Sequence, residues 1–182
     1  MLDPAIEHAL RLALALLLAS AALHKLRDLA SFRAAVAGYA LVPEALSGAI
    51  AGTLACVEAS IAAALVAPAA WGVRTVALGG CAALVGLYAL AIGANLARGR
   101  RDIDCGCAGH AGRQTLSGWL LARNGLLAAT ALVCLGGASS RPLQWLDALT
   151  IGASVAVLAT SWLAAHRLLA SAPAIARLRE GA

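Results

Sequence analysis

Two cysteines separated by one glycine, Cys105-Gly106-Cys107, are the residues best suited by type and spacing to chemistry. They lie in a polar stretch that opens with Arg98, Arg100, Arg101, Asp102 and Asp104 and runs on through Gly109 to His110. Paired cysteines in such a connection are unusual as packing residues. A Cys-X-Cys disulfide closes a small ring, and departure from relaxed geometry makes the bond easier to reduce. Gly106 and Gly109 supply the backbone freedom the turn needs. The arginines, Arg101 among them, favour thiolate, while Asp102 and Asp104 partly oppose it. This pattern suits a reactive pair that passes a disulfide on. Two readings stand beside it: free thiols with no redox task, and a metal site of Cys105, Cys107, His110 and an aspartate. Thiolate and imidazole suit zinc or copper, although one Cys-X-Cys lacks the second ligand pair of a structural zinc site.

A second chemical signal is Glu58, a lone carboxyl group inside a long apolar run. A carboxylate there is costly and by default functional. Its candidate partners are His24, Lys25, Arg123 and Asn124, and an inter-helix hydrogen bond is as good an account as proton handling. Cys56, Cys81 and Cys134 fall within apolar runs and read as small packing residues. His8, His110 and His166 read as solvated interface histidines.

The elements that must hold these residues follow from composition. The chain has 182 residues, 62% apolar and 13% charged, with a mean hydropathy of +0.84. A soluble domain averages about 45–50% apolar and about 25% charged. The surplus has to face lipid, which excludes a typical water-soluble enzyme, a disordered tail and a disulfide-dense secreted module. Fourteen Lys/Arg against nine Asp/Glu give +5, yet no basic stripe carries interleaved aromatics, so nucleic acid is not the partner expected.

A hydrocarbon core of about 30 Å needs roughly 20 apolar residues as helix. Such runs predict spans near 5–23, 46–66, 75–95, 119–136 and 146–165. The fold class expected is all-α: a single helical bundle over 1–182 with five spans, or four if the first or last segment lies along the surface. Glu7, His8 and Arg11 are expected to snorkel outward from the first span. That span reads as retained, since acids precede it and His24-Lys25 follows instead of a cleavage site. Arg123 and Asn124 must sit near an interface or face a partner helix. Gly48, Gly52 and Cys56, spaced by four, mark a face for close helix approach.

Basic residues are segregated. Lys25, Arg27 and Arg33 follow the first span; Arg98, Arg100, Arg101 and Arg113 follow the third; Arg167, Arg177 and Arg179 close the chain. The positive-inside rule puts these connections in the cytoplasm.

The stretch Ala22-Leu23-His24-Lys25-Leu26-Arg27-Asp28-Leu29, with Phe32 and the turn Gly38-Tyr39-Ala40-Leu41-Val42-Pro43, resembles the DoxX-like membrane proteins. With Glu58 and the Asp104-Cys105-Gly106-Cys107-Ala108-Gly109 motif, nearly the whole chain resembles the MauE family of methylamine utilisation membrane proteins. That resemblance implies a bacterial inner-membrane protein supporting maturation of the methylamine dehydrogenase small subunit, beside a thioredoxin-like partner. It makes Cys105 and Cys107 the exchanging pair, supported by Lys25, Glu58, Gly106, Arg101 and Asp104. It also implies a periplasmic client, and the cysteine connection is expected on that face despite its charge. Two alternatives remain: a quinone-linked disulfide oxidase of another pathway, and a non-catalytic assembly or transport subunit whose cysteines bind metal.

Overall fold

The computed structural model describes residues 2–67, 71–103 and 116–180. Six α-helices follow in order: α1 Pro4–Arg27, α2 Leu29–Gly38, α3 Ser47–Val66, α4 Trp71–Ala97, α5 Gly118–Leu135 and α6 Trp145–Glu180. Five of them are long and apolar enough to cross a membrane. The described residues form no strand beyond an isolated bridge of Leu2 with Ala138. The protein is a helical membrane bundle, as composition required, since in lipid a helix satisfies its own backbone.

Local chemistry sets the ends. The Asp3 side chain caps α1 by accepting from the Ala5 amide at 2.8 Å, and Pro4 occupies the first turn. Asp28 ends α1 and caps α2, accepting from the Ser31 amide at 3.0 Å. The ten residues of α2 fall in what the sequence suggested was a plain connection. They are too few to cross a bilayer but carry Phe32 and Ala35 inward. After α2, Ala40 takes a positive φ of 48°, and Pro43 starts a 3-10 turn, Glu44–Leu46, that leads into α3.

The inward stripes of α1 and α3 lie against each other. On α1 the stripe includes Glu7, Arg11, Leu14, Leu18, Ala22 and Lys25; on α3 it is Ser47, Ala51, Ala55, Glu58, Ala62 and Leu65. Both follow the i, i+3/i+4 spacing of one helix face. The close-packing face of α3 is therefore an alanine stripe, one residue away from the Gly48–Gly52–Cys56 register. Cys56 is exposed on the outside of the bundle, and open space surrounds Gly52. Cys81 and Cys134 do pack as small apolar groups, in one cluster with Leu14, Leu65 and Leu78. Helix α4 packs on α3 and α5, while α6 lies against α1. No residue in the most apolar stretch of α6 is buried. Arg123 sets its guanidinium 5.3 Å from the Trp162 ring centre on α6, a partner helix as its place in a span demanded, while the buried Asn124 donates back to the Leu120 carbonyl of its own helix at 3.0 Å.

Candidate functional site

Lys25 enters the bundle from near the end of α1. A helical side chain leans toward its own N-terminus, so this one reaches back into the apolar interior. There Nζ lies 2.6 Å from Glu58 Oε2 and donates to the Tyr88 hydroxyl at 3.1 Å. The ammonium also sits 4.9 Å from the Phe32 ring centre and 4.5 Å from that of Tyr88. Lys25 and Glu58 are each 2% exposed. Removing two charges from water costs several kcal/mol per ion, repaid only with good geometry and further hydrogen bonds. A carboxylate, a phenol and two ring faces supply that here. Of the four partners considered for Glu58, the structure pairs it with Lys25. Tyr88 was not singled out from the sequence, although a lone hydroxylated aromatic inside the third span was a signal for it.

Beside this pair lies a cavity of about 210 Å³, walled by Lys25, Phe32, Tyr39, Tyr88 and Ile92 and bounded by Leu41 and Leu87. The last two are 41% and 51% exposed, so they border the bundle surface. Tyr39 also packs with Ile103 and Leu96 on the buried trio Ile92, Leu116 and Leu120. At this point the chain is pinned: the Leu116 amide lies 3.1 Å from the Arg101 carbonyl and 3.2 Å from that of Ile103. Arg100 fastens the same corner, donating to the Gly38 and Tyr39 carbonyls at 3.0 and 3.1 Å and to Asn95 Oδ1 at 3.2 Å. Those carbonyls end α2, where a cation complements the helix dipole. Arg101 is itself exposed and contributes its backbone. Asp104, Cys105, Gly106, Cys107 and His110 lie outside the described residues, between the pinned positions Ile103 and Leu116.

A second polar group sits at the opposite end of the bundle. Glu7 is fully buried, with Arg11 Nε at 3.4 Å, Arg74 Nη1 at 3.3 Å and His8 Nδ1 at 3.1 Å. Arg11 also donates to the Leu65 carbonyl. The expectation that Glu7, His8 and Arg11 snorkel outward is corrected. Two arginines from α1 and α4 hold the carboxylate inside, where a charge is cheapest when paired, and His8 binds the Pro4 carbonyl at 2.8 Å. Nearer the surface, Arg141 joins Asp3 at 3.1 Å and Asp147 at 2.9 Å. The guanidinium hydrogen bond holds the Asp3 carboxyl below the usual carboxylate range.

The family model described as methylamine utilisation protein MauE matches residues 4–137. The methylamine utilization protein MauE of Paracoccus versutus is 42% identical over 130 residues, covering 71% of this chain and 68% of the relative. That of Paracoccus denitrificans is 38% identical over 137 residues, 75% and 72% of the two chains. The Methylorubrum extorquens protein of that name is 39% identical over 129 residues, 71% and 68%. No solved structure matches. The matched region runs from the first residue of α1 to the turn after α5 and so contains Lys25, Glu58, Tyr88, Cys105 and Cys107: the chain belongs to the MauE family.

Proposed function

We propose that this protein is a thiol–disulfide redox protein of the bacterial inner membrane. On this reading it supports maturation of the methylamine dehydrogenase small subunit through Cys105 and Cys107. A client thiolate attacks the Cys105–Cys107 disulfide, giving a mixed disulfide and one free thiolate on this chain. The client's second thiolate then resolves the mixed bond. Two electrons and two protons pass to this protein, and a thioredoxin-like partner exchanges with the pair by the same route. Gly106 permits the turn between the cysteines; Arg101 favours the thiolate and Asp104 tempers it.

The observation that carries the reading is the pinning of Ile103 to Leu116 against the apolar cluster of Tyr39 and Ile92. It anchors both ends of the cysteine segment beside the buried Lys25–Glu58 pair. Membership of a family named for methylamine utilisation supports the pathway. The test is trapping in cells: a Cys107→Ser or Cys105→Ser variant should accumulate a dithiothreitol-sensitive adduct with a partner. The double variant should form none and should leave methylamine dehydrogenase immature. Full maturation with the double variant would refute the reading.

A further inference from the structure

The cavity beside Lys25 has a composition the rest of the chain lacks. The protein has only one phenylalanine and two tyrosines, and Phe32, Tyr39 and Tyr88 all line this one cavity. Phe32 and Tyr39 come from α2 and its C-terminal end and Tyr88 from α4, so two elements well separated in sequence converge here. The same wall carries an ammonium 2% exposed and the Tyr88 hydroxyl 3.1 Å from it. The remaining lining is aliphatic, and the mouth lies between the exposed apolar side chains Leu41 and Leu87. A site with flat aromatic walls, one polar corner and an opening to lipid selects a planar apolar ring bearing an oxygen acceptor. At about 210 Å³ it is below the about 300–1,000 Å³ of sites that enclose a drug-sized ligand. It therefore holds a ring and leaves any long tail outside.

We propose that this cavity binds the headgroup of a membrane benzoquinone, with one ring oxygen accepting from the Lys25 ammonium or the Tyr88 hydroxyl. The ring lies among Phe32, Tyr39 and Tyr88, and the isoprenoid tail leaves between Leu41 and Leu87 into the bilayer. Glu58 holds Nζ in place at 2.6 Å. The ammonium and phenol donors then favour the negative charge that a ring oxygen takes on during reduction. The cavity shares Tyr39 and Ile92 with the cluster that pins Ile103 and Leu116, the two ends of the cysteine segment. Resting on the exchange reading above, the bound quinone is the oxidant that regenerates the disulfide. Two S–H bonds break and one S–S bond forms, while two electrons and two protons convert the quinone to the quinol.

The experiment uses the full chain in lipid nanodiscs, an azido-benzoquinone photoprobe and decylubiquinone as competitor. Crosslinks should map to α2, the turn through Val42 and the Leu87–Ile92 stretch of α4, and decylubiquinone should abolish them. Ala91→Leu fills the cavity without touching the ion pair and should lose at least nine-tenths of the competed label, with an unchanged melting temperature. Lys25→Met/Glu58→Leu removes both charges together and should weaken competition about tenfold or more, the worth of one charge-assisted hydrogen bond. Label scattered over the lipid face, or undiminished in Ala91→Leu, would overturn the site. Equal displacement by a fatty acid would overturn it too, making the cavity an acyl-chain groove. Quinol formation from decylubiquinone and a dithiol, read by absorbance, separates the two readings. Specific binding with no quinol formed would refute the oxidant role and leave the site standing. A trapped mixed disulfide without specific label would refute the site and leave the exchange reading standing.

Discussion

Lys25→Met removes a charge while keeping most of the apolar stem, and its cost follows from the geometry. At 2.6 Å and an effective dielectric of about 20, two unit charges attract by about 6 kcal/mol. Desolvating both ions takes back a similar amount, so the pair as a whole is close to neutral against apolar replacements. Breaking it from one side is different, because Glu58 then remains 2% exposed with its charge uncompensated. Such a change costs about 3–5 kcal/mol. Glu58→Leu strands the lysine, although Phe32, Tyr88 and the phenol oxygen still solvate it, so its loss should be the smaller of the two. The double variant Lys25→Met/Glu58→Leu should fall within about 1–2 kcal/mol of the parent, since no buried charge is left behind. The coupling between the sites should then exceed about 2 kcal/mol, far outside the about 0.3–0.5 kcal/mol of independent positions. Unfolding in mixed micelles, followed through the four tryptophans, gives all four corners of the cycle. Additive single effects below about 1 kcal/mol each would refute the reasoning.

Glu7→Gln should cost about 2–3 kcal/mol in the same titration, because Arg11 and Arg74 then face each other with no carboxylate between them. Arg100→Ala, losing the bonds to Gly38, Tyr39 and Asn95, should speed hydrogen exchange across Leu29–Ala40 and leave α5 unchanged. Asp3 is held below its ordinary value of 3.8, first by the Arg141 hydrogen bond. The Leu2–Ser139 contact should therefore be firm above that pH and loosen as pH falls through the lower value, measured by exchange of those amides; Arg141→Gln should remove most of this dependence. A membrane-impermeant maleimide should label Cys105 and Cys107 with the inner membrane intact, since direct exchange with a periplasmic client needs them outside; labelling only after that membrane is permeabilised would overturn the direct exchange and bear out the orientation derived from charge.

Much of the bundle was legible because the bilayer imposes a length and a composition. The five apolar runs match the five long helices, with ends displaced where caps and turns act: Asp3 and Pro4 start α1 early, and α6 continues past its apolar stretch to Glu180. Helix α2 was not legible as an element, for its ten residues carry charge and are too short to declare a span. Which face of α3 turns inward was misread, because glycine and cysteine spacing suggests close approach without saying whether a neighbour is there. The Ser47–Ala51–Ala55–Glu58 face was decided by the partner stripe on α1 and by Lys25. Glu58 itself was readable, since only an interior partner makes a mid-span carboxylate affordable. Glu7 was misread by the opposite logic: near a span end snorkelling is the usual outcome, and although Arg11 lies one turn along the same helix, Arg74 comes from α4, far away in sequence. The cavity had one signal, the scarcity of aromatics, which becomes meaningful only once the three chosen positions converge.

The helices alternate direction, so α2, the pinned corner at Ile103–Leu116 and the end of α1 share one face of the bundle. The start of α1, Arg74 and the turn after α5 share the other. On that other face every arginine is matched: Arg11 and Arg74 meet Glu7, and Arg141 meets Asp3 and Asp147, three cations against three carboxylates. On the first face Arg27, Arg33, Arg98 and Arg101 are exposed, while Lys25 is held inside the bundle. Pairing therefore sharpens the asymmetry that the positive-inside rule reads. Carrying the 98–117 connection outward would also move its four arginines, against two aspartates, across the membrane potential, at about 2.3 kcal/mol per charge per 100 mV. Charge thus favours a cytoplasmic cysteine segment, opposite to the face that a periplasmic client requires. The proposed quinone site bears on this conflict because its exposed lining side chains, Leu41 and Leu87, are apolar. A quinone that diffuses in the bilayer would take electrons from the pair on either face, so the proposed oxidant would place no constraint on orientation. The conflict is confined to the exchange partner: an inward pair needs a cytoplasmic one, and an outward pair can meet its client directly.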